Sequence, residues 1–229
     1  AIDTWGADKT RYYLLYKTAP EEQLNFNPEE FSIVDGVFNT ILNIFKFTNS
    51  YLEEHQEHLE EDSMIQLIED RWILTILQQT QQKIISLMSD YRFDQAIRVL
   101  EEFIVEQYSK TYLKVVKERS EKLDTSLMKV FTIVNKAICV NLGMFSPFKG
   151  EELYQKSVLL FKQESVFMEE FVEYFIDVND SIVENFSIAQ DVVQAILSSR
   201  EKAKIGVRWP LKDVRIISSI DNIKIKNIG

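Results

Sequence analysis

Apolar residues recur every three or four positions along most of the chain, and this spacing constrains the fold more than any other feature of the sequence. Such a period places apolar side chains on one face of an α-helix, whereas a half-buried strand needs strict alternation. The 229 residues include only four prolines and six glycines, and 45% of them are apolar. The sequence therefore predicts an all-α fold, an antiparallel bundle of long amphipathic helices joined by short polar loops.

Local signals divide this pattern into helices. Asn27-Pro28 is a cap residue followed by proline at the first helical position. The inner residues of the helix that follows, and of one that begins at Asp124, are predicted to be Phe31, Val34, Phe38, Ile41, Phe45, Leu127, Phe131, Val134 and Ile138. The other predicted helices run from about Ile65 to Met88, Phe93 to Val115, Ser146-Pro147 to Tyr154, Met168 to Val183, and the capping box at Ser187 to near Gly206.

The pattern changes beyond Gly206. Alternating apolar residues on either side of Asp221-Asn222 predict a short β-hairpin over residues 214–225, or the start of a further domain. Residues 200–229 carry eight Lys/Arg against three Asp/Glu, so they contribute +5 to a net charge of −10 and leave −15 for residues 1–199. We predict a connecting segment over residues 1–26, a helical domain over 27–206 and a truncated appendage over 207–229.

The sequence contains little that suggests catalysis. It has no Gly-rich phosphate loop, no nucleophile elbow and no Ser/His/Asp set. His55 and His58 are three residues apart and could place two metal ligands on one helix face. Six carboxylates crowd the same stretch, however, so a solvated helix end is the favoured interpretation and no metal site is predicted.

The cysteine count and the hydropathy of the sequence indicate the cellular compartment. The single cysteine, Cys139, excludes an internal disulfide framework and fits a reducing cytoplasm. We expect no membrane span, because no uninterrupted apolar run approaches about 18 residues. The first residue is not Met, and the N-terminus has no signal-peptide pattern, which we interpret as a piece cut from a longer chain.

A basic stretch, QYSKTYLKVVKERS at residues 107–120, stands out in this acidic chain. On an α-helix Lys110, Lys114 and Lys117 share one face, and Arg119 falls nearer the core as an end-of-helix anchor. The residues predicted to face the core are Ile97, Ile104, Tyr108 and Val115. The lysines could form a solvated face paired with Glu106 and Glu121, at about 0.2–0.5 kcal/mol a pair, or a docking site for a polyanion.

A second basic stretch contains Arg200, Lys202, Lys204 and Arg208, followed by Trp209. Cations are favourable at a helix C-terminus on dipole grounds alone. The Trp209 ring could pack back on the bundle, which is slightly favoured because an apolar ring between two elements usually finds a core, or it could stack on an RNA base. Trp5 and Trp72 are expected in the core.

Six segments, taken in order, resemble class I aminoacyl-tRNA synthetases of the isoleucyl type. They are WGADKTRYYLL, DRWIL, YRFDQAIRVLEEFI, the basic stretch at residues 107–120, LGMFSPFKGEELY and SREKAKIGVRWPL. In the basic stretch, Tyr112 matches the family's Tyr, and Lys117 and Arg119 match its basic positions. Together the six segments span nearly the whole chain, and the Arg-Trp-Pro-Leu tail is similar to that of archaeal and eukaryotic members. The His-Ile-Gly-His and Lys-Met-Ser-Lys-Ser motifs of the family's adenylation site are absent.

The resemblance implies a helical anticodon-binding domain that follows a catalytic domain and binds isoleucine-accepting tRNA. It implies tRNA contacts by Lys110, Tyr112, Lys114, Lys117, Arg119, Arg200, Lys204, Arg208 and Trp209. The parent enzyme would be a cytoplasmic monomer that uses ATP and Mg²⁺, with catalytic and editing domains as partners, while this part needs no cofactor and should not catalyse ligation alone. The alternatives are a valyl, leucyl or methionyl homologue, or a non-catalytic helical scaffold for another protein.

Overall fold

The computed structural model describes residues 2–19, 21–59, 63–159, 162–170, 180–211 and 213. These residues form helices and no strand, which confirms the all-α prediction. The α-helices are α1 (Ile2–Trp5), α2 (Ala7–Lys17), α3 (Phe31–Glu54), α4 (Ile68–Ser89), α5 (Phe93–Glu102), α6 (Leu113–Val115), α7 (Thr125–Phe145), α8 (Pro147–Lys156) and α9 (Asp180–Lys202).

The chain divides into two compact units, Ala1–Asp180 and Ser181–Gly229. The first contains α1 to α8, and the second contains nearly all of α9 and the residues after it. The predicted hairpin over residues 214–225 lies outside the described residues. The predicted domain boundaries after residues 26 and 206 stay predictions.

The helix starts predicted from the cap residues Asn27 and Asp124 are confirmed. The Asn27 side chain accepts a hydrogen bond from the Glu29 N–H at 3.1 Å, ahead of a 3-10 turn that leads into α3. The Asp124 carboxylate accepts one from the Leu127 N–H at 2.9 Å and caps α7. All nine predicted inner residues of α3 and α7 are buried, so the core of the first unit lies where the apolar spacing placed it.

The helices near the C-terminus depart from the prediction. Helix α9 runs unbroken through Ser187, so the predicted start at that residue is wrong. Ser187 is exposed in the helix interior, where a serine hydroxyl can face water without ending the helix. The predicted helix start near Met168 is also wrong, because Met168 ends a 3-10 turn and Glu169 is extended. The middle of that predicted helix, residues 171–179, lies outside the described residues.

A π-helical segment, Phe103–Tyr112, joins α5 to α6 without a break. In a π-helix the hydrogen bonds span five residues rather than four. The Leu113 N–H accordingly donates to the Tyr108 carbonyl, and the Thr111 hydroxyl donates to the Glu106 carbonyl at 2.8 Å.

The wider turn corrects the predicted core face of this helix. Val115 was predicted to face the core, but it is 49% exposed, while Val116 is fully buried. Each residue of a π-helix advances around the axis by a smaller angle than in an α-helix. An α-helical wheel therefore over-rotates the later positions, and here it places the buried face one residue too early. The buried positions fall at intervals of four, namely Leu100, Ile104, Tyr108, Tyr112 and Val116.

A buried cluster of charged and hydroxyl groups ties three of these helices together. Asp70, in the first turn of α4, is fully buried. Its Oδ1 and Oδ2 accept hydrogen bonds from the two Nη atoms of Arg119, each at 2.9 Å. Oδ1 also accepts one from the Tyr112 hydroxyl at 2.6 Å, and Oδ2 accepts one from the Ser126 hydroxyl at 3.1 Å.

Arg119 extends this cluster to two further carboxylates. Its Nε donates to Asp124 Oδ2 and one Nη donates to Glu69 Oε1, both at 3.0 Å. Burial lowers the pKa of the guanidinium, but the hydrogen bonds that it donates to Asp70 and Asp124, together with their negative charges, raise that pKa by more, so the net shift is upward. The side chain is therefore a charged internal anchor between α4 and the start of α7.

Helices α7 and α8 pack with their backbones in close contact. A Cβ on Gly150 would lie 2.7 Å from the Gly143 Cα and 3.1 Å from the Cys139 carbonyl oxygen. Among the described residues, α7 is the one helix with the length and mean hydropathy of a membrane span, yet 78% of its apolar window is buried within the fold. It has the character of a bundle's central helix.

The N-terminus of α8 receives its cap from a distant helix. Ser146 precedes α8 but makes no side-chain cap. Instead Asp8, in α2, accepts a hydrogen bond from the Lys149 N–H through Oδ2. This hydrogen bond joins α2 to α8 within the first unit.

Replacing Gly150 with Ala tests the close approach of α7 and α8. The added methyl group would overlap backbone atoms, and we expect the free energy of unfolding to fall by about 1–3 kcal/mol in a denaturant titration. Gly36→Ala is the matched control, because no atom lies within 4 Å of that Cβ position on α3. Ala should there raise stability by up to about 1 kcal/mol. Equal effects at the two sites would contradict the packing.

Replacing Asp70 with Asn tests the buried cluster. The amide cannot balance the Arg119 charge, although Glu69 and Asp124 still contact it, and we expect a loss of about 3 kcal/mol of unfolding free energy. Asp35→Asn is the control, since the ion pair of Asp35 with Lys9 is over one-third exposed on both sides and should contribute at most about 1 kcal/mol. Calorimetric or urea-induced unfolding measures both.

Candidate nucleic-acid interface

The three lysines of the first basic stretch are exposed in the first unit. Lys110 lies in the π-helical segment and pairs with Glu106 at 2.7 Å. Lys114 lies in α6 and Lys117 in the turn after it. Neither Lys114 nor Lys117 forms an ion pair with another described residue. These two ammonium groups are therefore the ones of this stretch that an external anion could reach.

The prediction that the three lysines share one face assumed a continuous α-helix, and the structure has no such helix over residues 110–117. Three different backbone conformations carry the three lysines, so a single α-helical wheel does not describe their directions. Their closeness instead follows from the chain, because eight consecutive residues of helix and turn span only about 10 Å. We name residues 110–117 the lysine segment.

Tyr112 and Arg119 are corrections to the predicted tRNA-contact set. Tyr112 is fully buried and gives its hydroxyl to Asp70. Burial and the neighbouring carboxylate both raise the pKa of its phenol, so it stays a neutral donor. Arg119 spends its donors on three carboxylates inside the fold. Tyr112 is therefore closed to a phosphate or a base, while Arg119 is 19% exposed and already bound to carboxylates. The anchor role predicted for Arg119 agrees with its contacts.

The second basic stretch follows α9 in the second unit. Lys202, Lys204 and Arg208 are exposed. Arg200 is half-buried, and one of its Nη atoms donates to the carbonyl oxygens of Gly206 at 2.6 Å, Val207 at 3.1 Å and Trp209. The Arg200 guanidinium therefore shapes the chain after α9, while the other three cations remain available to solvent.

Trp209 is exposed rather than packed as expected. Its side chain is 71% exposed, so the expectation that it packs back on the bundle is wrong. The ring lies against Gly206, where an added Cβ would be 3.3 Å from Cδ1. An indole ring in this position presents an open surface beside cationic side chains.

The other tryptophans and the histidines have structural surroundings. Trp72 is buried as predicted. Trp5 is only half-buried, and its ring stacks on Phe31 at 4.2 Å between centroids. The His55 ring meets the Tyr51 ring edge-on at 4.9 Å. Within the described part of the chain, no group of three or more His, Cys, Asp or Glu side chains could hold a metal ion.

One exposed cation near the lysine segment was missed. Lys122 is exposed after the 3-10 turn Arg119–Glu121. The sequence could have indicated it, because Lys122 lies two residues beyond Ser120, the last residue of the basic stretch. Exposed Glu118 and Glu121 lie between it and the lysines, so acidic and basic groups alternate along this surface.

Comparison with known proteins identifies the family. The family model described as the anticodon-binding domain of tRNA ligase matches residues 70–216. The chain is 26% identical to the isoleucine–tRNA ligase of Methanothermobacter thermautotrophicus over 97% of its length. It is 29% identical to that of Archaeoglobus fulgidus over 96% and 31% identical to that of Methanosarcina acetivorans over 95%. The matched region is 22% of each relative, so this chain spans about a fifth of their length.

The fold also has a solved counterpart. The LeuRS of Agrobacterium radiobacter K84, in a ternary complex with tRNA and LeuAMS, superposes with a TM-score of 0.56 over 80% of this chain and 21% of that chain. The sequence identity is 19%, so the likeness concerns the fold. The sequence match and the helical architecture agree, and this chain belongs to the family of anticodon-binding domains of tRNA ligases.

Proposed function

We propose that the chain is the anticodon-binding part of an isoleucine–tRNA ligase and binds isoleucine-accepting tRNA. The family match over residues 70–216 carries this proposal. The likeness of nearly the whole chain to archaeal isoleucine–tRNA ligases supports the isoleucyl type over its valyl, leucyl and methionyl relatives. The solved LeuRS complex contains tRNA, which supports the same class of partner for this fold.

In this proposal the ligation itself belongs to the rest of a parent enzyme. Catalytic and editing domains would occupy the length that this chain does not cover, and ATP and Mg²⁺ would serve the catalytic domain. The two adenylation motifs are absent from this sequence, so we expect no aminoacylation by this chain alone. We further propose a cytoplasmic, monomeric parent.

The lysine segment is our candidate for contact with the tRNA backbone. An exposed ammonium group that approaches a phosphate releases counterions, which favours binding and makes it dependent on salt. The contact is sequence-independent, so it would position the RNA without selecting it. A net charge of −10 does not forbid such contacts, because the local field decides where a polyanion approaches.

The proposed specificity is tested with whole tRNA transcripts. In filter binding at fixed salt, the chain should retain isoleucine-accepting tRNA more strongly than a non-cognate tRNA. Valine-, leucine- and methionine-accepting transcripts are the informative competitors. A preference for one of them would reassign the parent enzyme, and no salt-dependent binding to any tRNA would favour the alternative of a protein scaffold.

Changing Lys110, Lys114 and Lys117 together to Ala tests the lysine segment. We expect affinity to fall about equally for all tRNAs, and the slope of log K against log salt to decrease by about two to three units. The control variant changes Lys46, Lys83 and Lys156, which are exposed on α3, α4 and α8. It removes the same total charge from separate helices and should leave most of the slope. If the two variants have equal slopes of log K against log salt, the lysine segment is a solvated surface and does not contact tRNA.

A further inference from the structure

The turn after α9 is closed by one side chain. Arg200 reaches across residues 201–205, and one of its Nη atoms donates to the carbonyl oxygens of Gly206, Val207 and Trp209. Backbone bonds reinforce it, because the Ile205 N–H donates to the Arg200 carbonyl at 2.9 Å and the Trp209 N–H donates to the Gly206 carbonyl at 3.1 Å. We name residues 200–209 the Arg200 turn.

Trp209 occupies a defined place on this turn. The ring lies close to Gly206, since a Cβ at that residue would be 3.3 Å from the ring's Cδ1 and 3.7 Å from Nε1. The indole is nevertheless 71% exposed. A flat aromatic surface is thus supported from below by backbone and open to solvent.

The charges around the ring indicate what would cover it. Lys202, Lys204 and Arg208 are exposed on the same ten-residue turn, against one exposed carboxylate, Glu201. An apolar protein surface would gain nothing from these cations, whereas a nucleotide offers a base for the ring and a phosphate for a cation. Bases in a duplex are already stacked on one another, so only an unpaired base can lie on the indole.

We propose that the Arg200 turn is a stacking platform for an unpaired RNA base, with Trp209 under the base and Arg208 at the adjacent phosphate. Arg200 is a positioning residue, because its own donors hold the three carbonyls that place the ring. This inference rests on the proposed tRNA-binding function and adds to it a specific contact made by unpaired nucleotides. It assigns Arg200 a different role from the direct tRNA contact that the family resemblance implied.

The first test compares Trp209→Ala with the unchanged chain on two probes. One probe is the anticodon stem–loop hairpin of isoleucine-accepting tRNA, and the other is a blunt RNA duplex with the same stem sequence. Loss of one stacked base should weaken hairpin binding about 5- to 150-fold and leave duplex binding within about twofold. The salt slope should not change, because no charge is removed. The melting temperature should also be unchanged, because the ring is exposed.

Tryptophan fluorescence gives a direct signal of stacking. Trp72 is buried and Trp5 packs among aromatic rings, so quenching that appears on titration with the hairpin reports on Trp209. Trp209→Phe should abolish that quenching while it keeps most of the affinity, because a phenyl ring still stacks. Equal quenching by hairpin and duplex would overturn the requirement for an unpaired base.

The positioning role is tested by Arg200→Lys. All three carbonyl contacts come from one Nη atom at the end of the guanidinium, and the lysine side chain keeps the charge but is too short to place its nitrogen at that position. Hairpin affinity and fluorescence quenching should therefore fall towards the Trp209→Ala level while the salt slope stays the same. A fall in slope with quenching retained would instead make Arg200 a phosphate contact and overturn this part. Val207→Ala is the matched control, since Val207 is 72% exposed on the same turn and the substitution keeps the carbonyl.

The two proposals fail in different ways. If the unchanged chain binds no tRNA, the proposed function itself fails. If it binds tRNA and the lysine variant weakens that binding, but Trp209→Ala binds the hairpin within twofold of the unchanged chain, the stacking platform alone is wrong. In that case a loss of stability in Trp209→Ala would identify the ring as a protein contact.

Discussion

The buried pairing of Asp70 with Arg119 is the interaction on which the first unit's geometry depends. It fixes the first turn of α4 against the turn before α7, and Asp124 joins it while capping α7. Two charges removed from water are costly to bury, and such a pair stabilises a fold only when its other donors and acceptors are filled. Here Tyr112 and Ser126 fill them. We infer that the cluster selects one arrangement of these helices more than it adds net stability.

The π-helical segment follows from the same constraint. Tyr112 must reach Asp70 while Tyr108 and Val116 remain in the core, and these positions are four residues apart along the helix. Repeated steps of four drift around an α-helix of 3.6 residues per turn, whereas wider turns keep them on one side. The irregular backbone therefore reconciles a fixed hydrogen bond with a continuous buried face. The lysine segment is carried on the outer side of this same stretch.

Local signals predicted α3 and α7 well, because a capping side chain and the apolar residues it precedes lie within one short window. The same kind of signal failed at Ser187, where a capping box lies inside a continuous helix. The Asp8 cap on α8 joins residues 141 positions apart, and no window of sequence contains both. The roles of Tyr112 and Arg119 were hidden for the same reason, since their partner Asp70 lies over 40 residues away.

The candidate sites show why a basic residue in the sequence is not yet a phosphate contact. A guanidinium has five donors in a fixed plane and can satisfy several acceptors at once, so the fold readily uses it. Arg119 is taken up by carboxylates and Arg200 by backbone carbonyls. Lysine is a flexible point charge that protein surfaces leave in solvent, and Lys114, Lys117 and Lys204 are exposed. Arg119 and Arg200 therefore shape these two sites from within, and the exposed lysines, Arg208 and Trp209 supply the separate surfaces that we propose for RNA.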